Sequence, residues 1–164
     1  MQANEQIDGT GTAGKQQFLS FQLGAEEYGI DILRVQEIRA YEKATRIPNT
    51  PEFIRGVINL RGVIVPVVDL RMKFNLASSD INEVTVVIVL NVADRTIGVV
   101  VDRVSDVLAL SPEEIRPAPE FSTRVENAFV QGLASLDKRM LIITDIERLM
   151  TGADMALMAQ VTKH

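Results

Sequence analysis

Apolar residues in this chain occur in short β-branched runs divided by polar or glycine-containing steps, a pattern typical of strands and tight turns. The clearest case is the segment 54–71, where runs at 57–60 and 63–68 flank an Arg61-Gly62 step. This spacing predicts a β-hairpin. Gly62 can supply the positive φ that the turn requires, and Arg61 must point its guanidinium outward because a turn offers it no burial. We therefore expect the hairpin to present a cation at its tip.

Further strands are predicted along the rest of the chain. Residues 18–23 and 28–30 form two strands around a polar turn, and residues 84–92 and 97–101 form two more around a second turn. Because neither of the later runs alternates between apolar and polar residues, both faces of these strands are expected to be covered. Two final strands are predicted at 129–134 and 140–143.

The residues that follow Asp31 fit either one helical turn or a strand that begins at once. We favour a short turn and then a strand over residues 35–41. On that strand Val35, Glu37 and Arg39 share one face because side chains alternate. Since two of the three residues are charged, this face is predicted to be exposed to water.

The hairpin segment is also preceded by a helix-start signal. Thr50-Pro51-Glu52 combines a capping hydroxyl, a proline at the first helical position and an acid in the first turn, and Gly56 can end such a helix. Residues 51–55 are therefore predicted to form little more than one helical turn. Pro66 cannot donate a ladder hydrogen bond, which predicts an edge strand or a bulge for the second arm of the hairpin.

A C-terminal helix is predicted to begin after Asp145, which can cap it. Its apolar stripe consists of Ile146, Leu149, Met150 and Ala153, and the pattern resumes over 155–161. Many short strands and only one convincing helix give an all-β architecture of small barrels or a sandwich. The pattern leaves the order of the strands open.

Composition excludes several classes of function. The 164 residues include no cysteine and one histidine, the terminal His164, so thiolate metal sites and histidine-based catalysis have no residues to use. A net charge of −5 and only six Phe and two Tyr oppose binding of nucleic acid, including single strands. No apolar run approaches the ~20 residues of a membrane span. We expect a cytoplasmic protein without metal or cofactor.

Charge is distributed unevenly along the chain. Residues 34–73, which include the hairpin, contain eight of the 17 basic residues but only four of the 22 acidic residues. A net-basic surface on an acidic protein can dock an acidic partner, although uneven charge is also common on surfaces without a partner.

The first fifteen residues are polar and contain a glycine-rich sequence, Gly9-Thr10-Gly11-Thr12-Ala13-Gly14-Lys15-Gln16. It matches a dinucleotide pattern, and it matches a phosphate loop except for the glutamine. Both motifs bind phosphate only when a strand precedes the loop and a helix follows it. Here only eight polar residues precede Gly9, and a strand-like run follows Lys15. We therefore interpret residues 1–15 as a flexible tail.

Two carboxylates are the only candidates for catalysis. Asp69 and Asp102 each end an apolar run, and paired carboxylates can act as acid and base in a hydrolase. Arg71 and Arg103 follow them closely, however, so surface ion pairs or solvation of the strand ends are simpler interpretations. No nucleophile elbow or calcium loop is present, which leaves a binding protein as the favoured class.

The hairpin sequence also carries a family resemblance. Arg55-Gly56-Val57-Ile58-Asn59-Leu60-Arg61-Gly62 followed by Val65-Pro66-Val67-Val68-Asp69-Leu70-Arg71 resembles the signature of the CheW-like family of bacterial chemotaxis coupling proteins. The similarity extends from about Phe18 to Val161. It includes the segments 27–32 with 35–38, 99–102 with 104–107, and 115–119.

The resemblance implies a fold and a function. The fold is all-β, with two intertwined five-stranded barrels of the Src-homology type, short helical turns and a C-terminal helix, over residues 16–161 between tails at 1–15 and 162–164. The function is that of an adaptor without enzymatic activity or cofactor. It would join the cytoplasmic tips of methyl-accepting chemoreceptors to the regulatory domain of the histidine kinase CheA, as a monomer when unbound. Receptors would recruit it to the inner face of the membrane.

The resemblance also implies two docking sites. The receptor-facing groove would comprise Val35, Glu37, Gly56, Arg61 and Val107. The kinase-facing loop would comprise Arg116, Glu120 and Phe121. For Gly56 the predicted helix cap remains an equally good explanation.

Overall fold

Strands account for most of the chain that a computed structural model describes, namely residues 14–74, 76, 80–117, 129–150 and 156. The strands are β1 (Gln16–Leu23), β2 (Glu26–Asp31), β3 (Val35–Ala40), β4 (Ile54–Leu60), β5 (Val63–Asp69), β6 (Val86–Val92), β7 (Arg95–Val101), β8 (Arg103–Leu110), β9 (Ile115–Arg116), β10 (Val130–Leu136) and β11 (Arg139–Thr144). Two short α-helices, α1 (Leu70–Lys73) and α2 (Ile146–Leu149), and two 3-10 turns, Ile32–Arg34 and Pro112–Glu114, complete the described elements.

The strands form two sheets whose chain segments are intertwined. One sheet has the order β3-β6-β7-β5-β4, and the other has the order β9-β10-β11-β2-β1-β8. In the amino-acid sequence, the strands of the six-stranded sheet therefore come both before and after the strands of the five-stranded sheet. The all-β prediction is confirmed, with six strands rather than five in one sheet because the two-residue β9 pairs with β10. Each sheet contains one parallel pair, β5 with β7 and β2 with β11.

The five-stranded sheet is closed into a barrel. After β3 the chain crosses to β4, at the opposite edge of the sheet, where Thr45 and Val57 exchange two backbone hydrogen bonds of 2.8 and 2.9 Å. The barrel encloses its own apolar cluster, which consists of Ile58, Leu60, Val65, Val67, Val87, Val89 and Val100. Closure matters for function because it brings the two edge strands, and the turns beside them, onto one side of the molecule.

The largest apolar cluster lies between the two sheets. Ile88, Leu90 and Val92 of β6 point into it, whereas the alternate residues of β6 point into the barrel. The prediction that both faces of this strand are covered is therefore confirmed. From the other sheet β1 contributes Leu19 and Phe21 to the same cluster. A third cluster, Phe18, Leu110, Ala134, Leu141 and Ile143, belongs to the six-stranded sheet alone.

The start of the C-terminal helix is as predicted. The Asp145 carboxylate accepts hydrogen bonds from the backbone N–H groups of Glu147 (3.0 Å) and Arg148 (3.2 Å), which caps α2. Ile146, Leu149 and Met150 are buried in the large cluster between the sheets. Of the rest of the predicted helix, which includes Ala153 and 155–161, the structure describes only Ala156, a helical and exposed residue. The predicted tails lie outside the described residues except for Gly14 and Lys15.

Two local predictions are wrong. Residues 51–53 form a turn and residues 54–55 already belong to β4, so no helix forms over 51–55. The Thr50 hydroxyl donates to the carbonyl of Ile47 (2.8 Å) instead of capping a helix. Pro66 lies in β5, which is an interior strand with partners on both sides. Its missing N–H is tolerated because the parallel pairing with β7 begins one residue later, at Val67.

Candidate functional site

The β4–β5 hairpin ends in a two-residue turn, as the sequence predicts. Arg61 has a φ of 50° and Gly62 a φ of 89°, so both central residues are left-handed. This arrangement matches the twist of the flanking strands and makes a tight, rigid connection. The side chain of Asn59 accepts a hydrogen bond of 2.7 Å from the Gly62 N–H and holds the turn in place. The sequence predicts a positive φ for Gly62, and the structure has a positive φ at Arg61 as well.

The Arg61 guanidinium at the tip of the hairpin is exposed and has an ion-pair partner. The Arg61 side chain is 69% exposed and forms an ion pair with Glu37 of β3, which also accepts a 3.3 Å hydrogen bond from Arg39. The hydrogen bond from Arg61 is the main cause that lowers the pKa of Glu37. The prediction of an outward-pointing arginine is confirmed, and the structure adds its partner. The ion pair spans the seam where the barrel closes, from β3 to the turn after β4.

Barrel closure also reverses the predicted exposure of β3. Val35, Glu37 and Arg39 are half-buried, whereas the other face of the strand is exposed and includes Ile38. Glu37 and Arg39 turn toward the barrel seam, where the Glu37 carboxylate bonds to Arg61 and Arg39, and Arg39 also bonds to Glu42 at 3.0 Å. A bulge between Val35 and Glu37 turns Val35 toward the cluster between the sheets, so the predicted shared face of Val35, Glu37 and Arg39 is wrong. The opposite face carries an apolar side chain into solvent, which is the kind of feature that marks interaction surfaces.

Gly56 has a structural role that differs from a helix cap. It lies within β4 beside a bulge, with a φ of 136°. A Cβ at this position would lie 2.0 Å from the carbonyl oxygen of Thr45, which is far inside contact distance. Only glycine therefore allows the crossing segment to bond to β4. Gly56 shapes the barrel seam and offers no side chain to a partner.

Val107 and Arg116 lie on the six-stranded sheet. Val107 is half exposed on β8, an edge strand, where it pairs with Leu19 of β1. Arg116 is exposed on the short edge strand β9. Glu120 and Phe121 lie outside the described residues. Among the predicted receptor-facing residues that the structure describes, Glu37 and Arg61 contact each other through their side chains.

The two candidate catalytic aspartates belong to a buried ion cluster. Asp69 is fully buried and accepts hydrogen bonds of 2.9 and 3.0 Å from the Arg71 guanidinium and 2.9 Å from Arg55. Burial alone would raise the pKa of Asp69, but the hydrogen bonds from the two arginines outweigh it and hold the pKa below its usual value. A carboxylate fixed in this way is a poor proton acceptor.

The same arginine reaches the second aspartate. Arg71, 1% exposed, places Nη1 3.4 Å from Oδ1 of Asp102, whose other oxygen accepts a 2.7 Å hydrogen bond from the Gly24 N–H. Gly24 lies in the β1–β2 turn, so the cluster ties one sheet to the other. Asp69 pairs with Arg71 as expected, but this pair is buried rather than at the surface. Asp102 is one-third exposed and bonds to Arg71, which the sequence did not indicate as its partner. This geometry gives no support to a hydrolase.

Sequence reasoning missed the long-range partners of these groups. Glu37 and Arg61 are 24 residues apart, and Arg71 and Asp102 are 31 residues apart. A spacing of that size carries no signal, because it reflects sheet topology rather than local structure. Among the described residues no group of acids or histidines could hold a metal ion, and no helix there is long and apolar enough to cross a membrane.

Comparison with known proteins identifies the family. The model for the CheW-like domain matches residues 17–154. A chemotaxis protein CheW from Klebsiella aerogenes is 58% identical over 148 residues, which cover 90% of this chain and 89% of that protein. The CheW of Bacillus subtilis is 34% identical over 79% of this chain and 83% of its own length. The crystal structure of the scaffolding protein TtCheW from Thermoanaerobacter tengcongensis matches with a TM-score of 0.78 and 35% identity, covering 85% of this chain and 95% of that one. The chain therefore belongs to the CheW-like domain family and is a non-catalytic chemotaxis adaptor.

Proposed function

We propose that this adaptor joins the cytoplasmic tips of transmembrane chemoreceptors to the regulatory domain of the histidine kinase CheA. It thereby places kinase activity under receptor control and helps to assemble the receptor array. The adaptor acts as a monomer in the cytoplasm when unbound, and receptors recruit it to the inner face of the membrane. Family membership supports the adaptor role, and the exposed surfaces of the two sheets supply the sites for two partners.

The receptor side centres on the exposed ion pair between Arg61 and Glu37. A rigid two-residue turn holds the arginine, so little conformational entropy is lost when a partner binds it. Arginines of this kind are frequent anchors at protein interfaces. Val35, at the start of β3, and Val107, half exposed on β8, add apolar contact area. Gly56 contributes by allowing the barrel seam to close beneath them.

The kinase side comprises Arg116, Glu120 and Phe121. Arg116 is exposed at a sheet edge and is followed by Pro117, which stiffens the chain as it leaves β9. An aromatic residue in such a loop can fill a pocket on a partner. We therefore assign kinase binding to the segment that begins at Arg116, on the edge strand β9.

The test is a binding and reconstitution experiment with three purified components. The adaptor should bind a receptor signalling fragment and the CheA regulatory domain at the same time, and kinase output should respond to receptor only when the adaptor is present. Arg116→Glu should reduce CheA binding and leave receptor binding intact. Failure of the parent protein to bind either partner would contradict the proposal.

A further inference from the structure

The edge strand that carries Val107 is irregular at that point. Leu19 pairs with Val107, but Phe21 pairs with Val104, so β8 contains one extra residue opposite Ser20. Such a bulge redirects the side chains beside it and increases the local twist. The place of Val107 on the surface therefore depends on how firmly the bulge is held.

One buried hydroxyl holds the backbone of the bulge. The Ser20 side chain is fully buried, and its oxygen accepts a 3.0 Å hydrogen bond from the Asp106 N–H. The same hydroxyl donates to the Asp106 carbonyl at 3.2 Å. Both main-chain groups of Asp106 are thus bound to one side chain of the neighbouring strand, a contact that cannot be made if the bulge shifts by a residue.

The side chain of Asp106 is held as well, by a hydrogen bond from the guanidinium of Arg139. Arg139, at the start of β11, donates from Nη1 to Asp106 Oδ2 at 3.1 Å and from Nε to Glu27 Oε1 at 2.9 Å. Glu27 belongs to β2 and is mostly buried, and the hydrogen bond from Arg139 is the main cause that lowers its pKa. The planar guanidinium therefore fixes the bulge of the edge strand to the parallel pair at the centre of the sheet.

We propose that Arg139 is a positioning residue for receptor binding, which acts through Asp106 to hold the β8 bulge and the exposed side chain of Val107. The inference rests on the proposed function and extends it to a residue that touches no receptor itself. In this role Arg139 serves the six-stranded sheet, as Arg61 serves the barrel: each arginine links an edge strand to a distant part of its own sheet.

Because the Arg139–Asp106 ion pair is exposed, a role in positioning Val107 can be distinguished from a role in stabilising the fold. Arg139 and Asp106 are 40% and 44% exposed, and ion pairs at such sites contribute little to stability because water screens them. Loss of the Asp106 carboxylate leaves the Arg139–Glu27 pair and the Ser20 hydroxyl in place. Asp106→Asn should therefore disturb the bulge while the protein keeps its fold.

The experiment compares Asp106→Asn, Arg139→Gln and the double variant with the parent, by amide hydrogen exchange at Asp106 and by affinity for a receptor signalling fragment. Each single variant should speed exchange at Asp106 and weaken receptor binding by roughly 3- to 10-fold. The double variant should be no weaker than the worse single variant because both remove one link. CheA affinity should not change. Arg148→Gln, which alters an exposed arginine 3.7 Å from Asp145, is the matched control.

The outcomes distinguish this inference from the proposed function. Unchanged exchange at Asp106 in both single variants overturns the positioning role, whatever the receptor fragment does. Additive losses of receptor affinity also overturn it, because they would show that the two residues act separately. If the parent binds no receptor fragment, the adaptor proposal fails, and the exchange data alone then decide whether Arg139 holds the bulge.

Discussion

The protein uses the same arginine–carboxylate chemistry in two regions with opposite exposure. In the ion cluster, Asp69 and Arg71 are 0% and 1% exposed and lie between the sheets. At the barrel seam, Glu37 and Arg61 are 27% and 69% exposed and lie beside a hairpin turn. Burial decides what each pair can do. Water cannot replace a lost partner inside the protein, whereas at the seam it can, so the first pair serves the fold and the second is available to a partner.

The largest effect is expected in the buried cluster. Arg71→Met removes the main partner of Asp69 and should lower the free energy of unfolding by about 3–5 kcal/mol, as is typical when one side of a buried pair is lost. Urea unfolding followed by circular dichroism measures the change. Arg103→Met, an exposed arginine next to Asp102, is the control and should alter stability little. Equal stability of the two variants would contradict the structural role of the cluster.

A smaller loss of stability is expected from a change at Gly56 in the barrel seam. Gly56→Ala places a Cβ against the Thr45 carbonyl and forces an unfavourable φ, so the barrel seam must shift. We expect a loss of about 3 kcal/mol in stability and weaker receptor binding as a consequence. Gly62→Ala is the comparison, because its Cβ would have no heavy atom within 4 Å and only the positive φ is strained. If the two variants melt alike, the contact with Thr45 does not limit position 56.

The exposed pair should affect binding rather than folding. Arg61→Glu reverses the charge at the hairpin tip and should weaken receptor binding by about 2 kcal/mol, or roughly 30-fold, as the loss of an interface anchor does. Its thermal unfolding should resemble that of the parent. Isothermal titration with a receptor fragment, together with a melting curve, separates the two effects. A variant that unfolds would make Arg61 a structural residue and remove it from the proposed site.

The smallest effect concerns acid stability. The pKa of Asp69 is lowered in the folded state, so its contribution is complete above the unfolded pKa near 3.8 and is lost as pH falls through the lower folded value. The parent should therefore lose stability below about pH 4, with a slope from this group of at most about 1.4 kcal/mol per pH unit. Asp69→Asn should reduce the loss of stability at acidic pH more than Glu37→Gln does, because solvent screens the exposed pair of Glu37 and Arg61. Denaturant unfolding between neutral and acidic pH compares the two variants.

Local features of this chain were predictable because they depend on neighbouring residues. The Arg61-Gly62 hairpin, the Asp145 cap and the two-sided burial of β6 all follow from short-range patterns. The helix-start signal at Thr50 failed for a related reason. Thr50, Pro51 and Glu52 also suit a turn, and Gly56 is needed for a close contact with a distant segment rather than as a cap. A local pattern cannot distinguish these two uses of glycine.

By itself the amino-acid sequence determined the fold class, the presence of an exposed arginine on a rigid turn and the absence of catalytic chemistry. The tertiary structure alone decided which distant charges meet: Arg61 with Glu37, Arg55 with Asp69, Arg71 with Asp102, and Arg139 with Glu27 and Asp106. The reason is physical. Turns and strands are set by interactions over a few residues, whereas ion pairs form wherever barrel closure and strand order bring opposite charges within a few ångströms.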